Sequence, residues 1–204
     1  MTVIKPILRG GIRKYEGTEE RLIHAQRVLT PSEYDLIWKA SGKFSHQLKL
    51  DLCLLTAGRY SELRELQVNK QWFDPDHNAI HIPEHKAKRL KRGVTDRYIH
   101  LSRKGVDMVR TFLHSGFYKL PAYSTMEDNM KRWAIKADVD TTGLSIKSLR
   151  KTYESWLIMI YPEKSISILQ STGHTQKVSM EHYANLPFTD RDILLMKPYV
   201  EGWI

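Results

Sequence analysis

Apolar residues recur along this chain at two periods, and the switch between them marks out its elements. Leu48, Leu52 and Leu55 stand at helical spacing up to Gly58, and Leu63 and Leu66 resume an apolar stripe after it. An α-helix turns once in about 3.6 residues, so positions three or four apart share a face. The same spacing returns in Val106, Val109, Phe112 and Leu113 before Gly116, over 124–137, and in Leu149, Tyr153, Trp156, Leu157 and Ile160, closed by Pro162. A short helix is predicted over 166–170, stopped at Gly173. In the middle of the chain the period changes. Ala79-Ile80-His81-Ile82 and Arg97-Tyr98-Ile99-His100-Leu101 alternate as strands do, the first preceded by the turn signal Asp74-Pro75-Asp76-His77-Asn78. The expectation is a mostly α fold with one small antiparallel β-sheet.

Residues 1–28 carry no sustained period, and Gly10, Gly11 and Gly17 interrupt their basic residues, so this stretch reads as an arm or linker. Leu29-Thr30-Pro31-Ser32-Glu33-Tyr34 then signals a helix start. Thr30 suits the N-cap, Pro31 the first helical position, and Glu33 completes a capping box, with Leu29 and Tyr34 placed as a hydrophobic staple. The compact domain is expected over 29–204.

Composition narrows the chemistry. Lys and Arg number 32 against 23 Asp and Glu, a formal charge of +9 that suits a polyanionic partner. No run of about 18 apolar residues and no N-terminal apolar stretch occurs, so neither a membrane span nor a signal peptide is predicted. The expected location is the cytoplasm, on the nucleoid when bound to DNA. Cys53, in Leu52-Cys53-Leu54, is the one cysteine, which excludes an intrachain disulfide and a cysteine zinc cluster and reads as a buried structural side chain. No His-Glu-x-x-His pairing is present, and no metal or cofactor is expected.

Candidate chemistry lies in an ordered set of short motifs. Arg59 sits in Thr56-Ala57-Gly58-Arg59-Tyr60-Ser61-Glu62-Leu63, at the joint between two predicted helices, with Glu62 one turn on to orient it. Arg150 ends Lys147-Ser148-Leu149-Arg150 and is expected in the first turn of its helix, where free N–H groups also favour an anion. Gly173-His174 follows, and Tyr183 comes nine residues later. Guanidiniums are planar, permanently charged forks that match the non-bridging oxygens of a phosphodiester, and a tyrosine hydroxyl beside them can attack its phosphorus. Tyr60, Tyr98 and Tyr153 fall in periodic apolar faces and read as structural. Between the two predicted strands lies His85-Lys86-Ala87-Lys88-Arg89-Leu90-Lys91-Arg92-Gly93, a basic loop suited to DNA phosphates.

This order and spacing resembles the catalytic domain of the tyrosine recombinases, or integrases, of the phage, plasmid or archaeal-virus kind, over about 29–204. The resemblance implies that Arg59 and Arg150 clamp a scissile phosphate and that Tyr183 attacks it to form a 3′-phosphotyrosyl bond, without metal or ATP. It makes a hairpin lysine the general acid for the leaving 5′ oxygen, Lys86 by position, with Lys88 and Lys91 as alternatives. Lys88, Arg89, Lys91 and Arg92 would contact DNA phosphates. His174 would donate to phosphate or shuttle a proton, and Lys147 stands where histidine is more usual in the family. The implied function is site-specific recombination or integration of mobile double-stranded DNA. A type IB topoisomerase-like relaxase and a non-catalytic DNA-binding regulator are the alternatives.

Beyond Tyr183 the chain turns apolar again, with Phe188, Ile193, Leu194, Leu195, Met196, Tyr199, Val200, Trp203 and Ile204. Thr189-Asp190-Arg191-Asp192 resembles a capping box with Asp in place of Glu, predicting a tail helix within about 188–204. It can fold onto its own domain. The family resemblance instead implies docking into a neighbouring protomer, linking subunits into a tetrameric synapse on DNA.

Overall fold

The structure, a computed structural model, describes residues 7–9, 12–14, 21–23, 25–83, 96–115, 118–173 and 186–203. Among them are helices α1 (Pro31–Ser41), α2 (Phe44–Thr56), α3 (Tyr60–Leu66), α4 (Arg103–His114), α5 (Tyr123–Lys136), α6 (Ile146–Ile160), α7 (Ser165–Thr172) and α8 (Asp190–Val200). Two short hairpins precede them, β1 (Ile7–Arg9) with β2 (Ile12–Lys14) and β3 (Leu22–Ile23) with β4 (Gln26–Arg27). An antiparallel sheet of order β5-β6-β7 joins Phe73–Asp74, Ala79–Ile82 and Arg97–His100. The expected helical fold with a small antiparallel sheet is the one observed. Its sheet gains a third strand, β5, on the near side of the predicted turn.

Helix α1 begins as its sequence dictates. Glu33 N–H donates to Thr30 Oγ1 at 3.2 Å and Thr30 N–H returns to Glu33 Oε2 at 2.8 Å, so two otherwise orphaned donors are satisfied. The Glu33 carboxylate also accepts from Arg21 at 2.7 Å and Arg27 at 2.6 Å. Arg27 is buried, its charge balanced by Glu33 and by Asp140 at 3.0 Å. Ile23 and Val28 are buried beside it, so the packed core takes in residues ahead of the start at Leu29 expected from sequence.

Helix α6 runs through the centre. Ile146, Leu149, Tyr153, Trp156 and Leu157 are all buried, and Trp156 Nε1 donates to Leu29 O at 3.0 Å. Leu29 N–H in turn donates to Thr152 Oγ1 at 2.9 Å, locking the entry of α1 to α6. Helix α2 is buried on every side over its last two turns, which is why even Asp51 needs two internal donors, Tyr34 Oη at 2.7 Å and Trp38 Nε1 at 2.9 Å. Cys53 lies among these residues, and burial pushes its thiol up to about 12, which agrees with a structural side chain.

The tail forms the predicted helix. Thr189 caps α8 by accepting from Asp192 N–H at 3.2 Å, and Thr189 N–H donates to Asp192 Oδ2 at 2.9 Å. The helix packs on α1, α4 and α6 of its own chain, burying Met196 and Val200, with Trp203 buried just beyond it. Trp203 Nε1 donates to His100 O at 2.9 Å, and Tyr153 Oη donates to Tyr199 O at 3.1 Å. Trp203→Ala is therefore expected to destabilise the domain by about 3–5 kcal/mol, the usual loss for a buried aromatic. Urea unfolding checks this, and a change below about 1 kcal/mol would mean that the tail is not integral to the core.

One tyrosine departs from expectation. Tyr60 and Tyr153 are buried as foreseen, but Tyr98 is 51% exposed and stacks on His81 at 4.9 Å. Strand alternation explains it: Arg97, Ile99 and Leu101 share the inner face, so Tyr98 points outward.

Candidate active site

Arg59 is placed by a tight joint between α2 and α3. Ala57 ends α2 in the left-handed region at φ 46°, and a Cβ on Gly58 would come within 2.9 Å of Leu63 Cδ2. A larger residue at Gly58 would have to displace the Leu63 side chain. Arg59 is the N-cap of α3, and its backbone N–H donates to Glu62 Oε2 at 2.9 Å. Its guanidinium is held twice, Nη1 on Glu62 Oε1 at 2.6 Å and Nη2 on Gly173 O at 3.3 Å.

Arg150 reaches the same place from α6. Its Nη1 donates to Ala57 O at 3.0 Å and its Nη2 to Thr172 O. The helix starts at Ile146 behind the N-cap Ser145, whose N–H donates to Ser148 Oγ at 3.0 Å. Arg150 thus lies in the second turn and not the first, and the free N–H groups expected to assist it belong to earlier residues. Lys147 is exposed in that first turn, three residues before Arg150 and so on the same face.

A third guanidinium, which sequence reasoning did not single out, completes the cluster. Arg97, buried at the start of β7, donates to Ser171 O at 2.6 Å and to Glu62 Oε2 at 2.5 Å. Arg97, Arg150 and Arg59 therefore each take one of three successive carbonyls, those of Ser171, Thr172 and Gly173, at the end of α7. Those carbonyls carry the negative end of the helix and have no partner inside it. Gly173 makes the approach possible, being left-handed at φ 71°, with a built Cβ only 3.0 Å from Arg97 Cδ and 3.3 Å from Arg59 Nη2. Glu154, fully buried, accepts from Thr172 Oγ1 at 3.1 Å and Lys151 Nζ at 3.4 Å, bracing the same turn from α6.

The cluster is electrostatically tense. Burial, with Arg59 and Arg97 nearby, lowers Arg150 to about 10, although Glu154 and Glu62 oppose the shift. Burial also lowers Arg97, helped by Arg59 and resisted by Glu62. Burial alone would raise Glu62, but Arg97 and Arg59 outweigh it and hold the carboxyl below its usual value. Among the described residues, three guanidiniums and Lys151 against two carboxylates leave a positive surplus in a partly desolvated place. An anion such as a phosphodiester would relieve it. Arg59, with 29% of its side chain exposed, gives that anion access.

Of the residues singled out from sequence, the structure brings Arg59 and Arg150 together and sets Lys147 near Arg150 along α6. Lys86, Lys88, Arg89, Lys91 and Arg92 lie in 84–95, and His174 and Tyr183 in 174–185, all outside the described residues. Their flanks are described. Ile82, just before the basic segment in the chain, pairs with Arg97, just after it, and Gly173, next to His174 in the chain, is held by Arg59. Among the described residues no group of three or more His, Cys, Asp or Glu could hold a metal. No helix among them is long and apolar enough to cross a membrane.

The mostly helical fold with its small antiparallel sheets is similar to that of a solved recombinase. The solved structure of XerA recombinase is similar to this chain with a TM-score of 0.59 and 16% identity, over 84% of this chain. The match spans 64% of XerA's own length, under two thirds of it. No protein-family model matches the chain, and no curated protein does.

Proposed function

We propose that this chain is the catalytic domain of a tyrosine-type site-specific DNA recombinase. The observation that supports this most is the convergence of Arg59 and Arg150, from helices far apart in sequence, on the turn that leads to His174. In this reading the two guanidiniums hold the non-bridging oxygens of one phosphodiester and stabilise the charge that builds on them as phosphorus becomes five-coordinate. The Tyr183 hydroxyl passes its proton to water as its oxygen attacks phosphorus. The bond to the 5′ oxygen breaks, leaving a 3′-phosphotyrosyl link and a 5′ hydroxyl that Lys86 protonates. His174 donates to a phosphate oxygen, while Lys147 adds a second donor near Arg150. Attack by another strand's 5′ hydroxyl reverses the chemistry and joins new partners. The phosphotyrosyl bond preserves the energy of the original diester, so no ATP is consumed.

The basic residues Lys88, Arg89, Lys91 and Arg92 add phosphate contacts around the site, which makes binding salt-sensitive. Subunits are proposed to pair on DNA by exchanging α8. Its buried contacts are intramolecular in the single chain, so exchange would take the form of a swap that re-forms them between copies.

The test is a nicked duplex from which the cleaved fragment diffuses away. A protease-sensitive covalent protein–DNA adduct is expected, at equal yield in excess chelator, because guanidiniums supply the charge stabilisation. Loss of the adduct in EDTA with recovery in magnesium would overturn the tyrosine mechanism.

A further inference from the structure

We infer that Arg97 is a positioning residue for Arg59, setting its guanidinium from both sides, through Glu62 and through the end of α7, where Arg97 holds the Ser171 carbonyl and Arg59 the Gly173 carbonyl. This deepens the recombinase reading and rests on it for the identity of the anion. Only 8% of the Arg97 side chain is exposed, so the side chain is poorly placed to touch DNA. Its planar fork spans two partners on two elements, Glu62 Oε2 on α3 and Ser171 O on α7. Glu62 in turn divides its oxygens, Oε1 to the Arg59 guanidinium and Oε2 to both Arg97 and the Arg59 backbone N–H. The Glu62 side chain is 4% exposed, so solvent can do little to replace a lost donor. Without Arg97 it would lose a charged donor and the fixed rotation that aims Arg59.

A second tie runs parallel, His100 N–H donating to Ser171 Oγ at 2.9 Å, so β7 grips α7 both there and at Arg97. A structural role alone would not require an arginine. Arg97 is in phase with the buried Ile99 and Leu101, where an apolar side chain could pack without the desolvation cost of a charge. Lysine, a point charge without a fork, cannot reproduce both contacts.

The experiment compares Arg97→Lys and Arg97→Met with the unsubstituted protein, each also in an Arg59→Ala background. Binding of dimethyl phosphate, a diester monoanion, is followed through the Nε–H resonances of Arg150 and, where present, Arg59. Single-turnover adduct formation is measured on saturating nicked duplex. Both Arg97 variants are expected to weaken dimethyl phosphate binding and to slow adduct formation by about tenfold or more, with melting temperatures within a few degrees of the parent. In the Arg59→Ala background the same substitutions should change either quantity less than about threefold, because their effect passes through Arg59. Effects that multiply undiminished in that background, or anion binding unchanged by Arg97→Lys, overturn the inference. Should Arg97→Met not fold, Arg97→Lys decides alone. Should no protein form an adduct, the recombinase reading fails, and the anion titration still decides the role of Arg97.

Discussion

Tyr183→Phe is expected to abolish the covalent DNA adduct while leaving DNA affinity and folding unchanged. The substitution removes one oxygen, the atom proposed to attack phosphorus, and keeps the aromatic ring. Two described tyrosines have their hydroxyls engaged in the core, Tyr60 donating to Pro121 O at 2.9 Å and Tyr153 to Tyr199 O at 3.1 Å. A tyrosine hydroxyl has a reference pKa of about 10, so its attack at neutral pH depends on cations that stabilise the phenolate and on a group that takes its proton. In the proposed mechanism the positive surplus among the described residues around Arg59, Arg97 and Arg150 would meet the first requirement. Denaturing gels of the nicked-duplex reaction provide the measurement, and an undiminished adduct in Tyr183→Phe would remove Tyr183 from the mechanism.

What was legible in the sequence was local or periodic. Thr30, Pro31 and Glu33 announced α1 because a capping box needs only neighbours in the chain, and Thr189 with Asp192 announced α8 for the same reason. The stripe through Leu149, Tyr153 and Trp156 fixed the buried face of α6 but not its first residue, because the cap at Ser145 and Ser148 uses two serines in place of the Ser-x-x-Glu pattern. Arg150 was consequently expected one turn too early. The segment before Leu29 was read as an arm because strands of two residues, such as β3 and β4, are too short to show a period. Arg27 looked like one of many basic residues. Its burial depends on Glu33 and on Asp140, more than a hundred positions away.

Arg97 is the instructive omission within the site. Its partners Glu62 and Ser171 are separated from it by 35 and 74 positions, so no local motif reports them. A signal was nonetheless present, since Arg97 alternates in phase with Ile99 and Leu101. A charge on the apolar face of a strand either breaks the strand or is paired inside. The same alternation turned Tyr98 outward, against the reading that grouped it with the core. Glu154 carried the helical version of this signal, one turn after Arg150 on the face that also bears Leu157.

Arg150→Ala is expected to lower the rate of adduct formation by about a hundredfold to a thousandfold, the usual effect of removing one preorganised donor from a developing oxyanion. DNA affinity should change little, because most of it comes from dispersed phosphate contacts around a chain of charge +9. Stability should also hold within about 1–2 kcal/mol. The Ala57 and Thr172 carbonyls lose a donor, each bond contributing about 1 kcal/mol net, but the repulsion of Arg150 by Arg59 and Arg97 is relieved at the same time. Arg150→Lys restores a charge without the fork that spans those two carbonyls, so it should recover only part of the rate. The decisive comparison is single-turnover cleavage at saturating DNA beside a binding isotherm and a melt of the same variants. A loss below about tenfold in Arg150→Ala, or a loss matched by an equal fall in DNA affinity, would make Arg150 a general phosphate contact and leave the transition state to other groups.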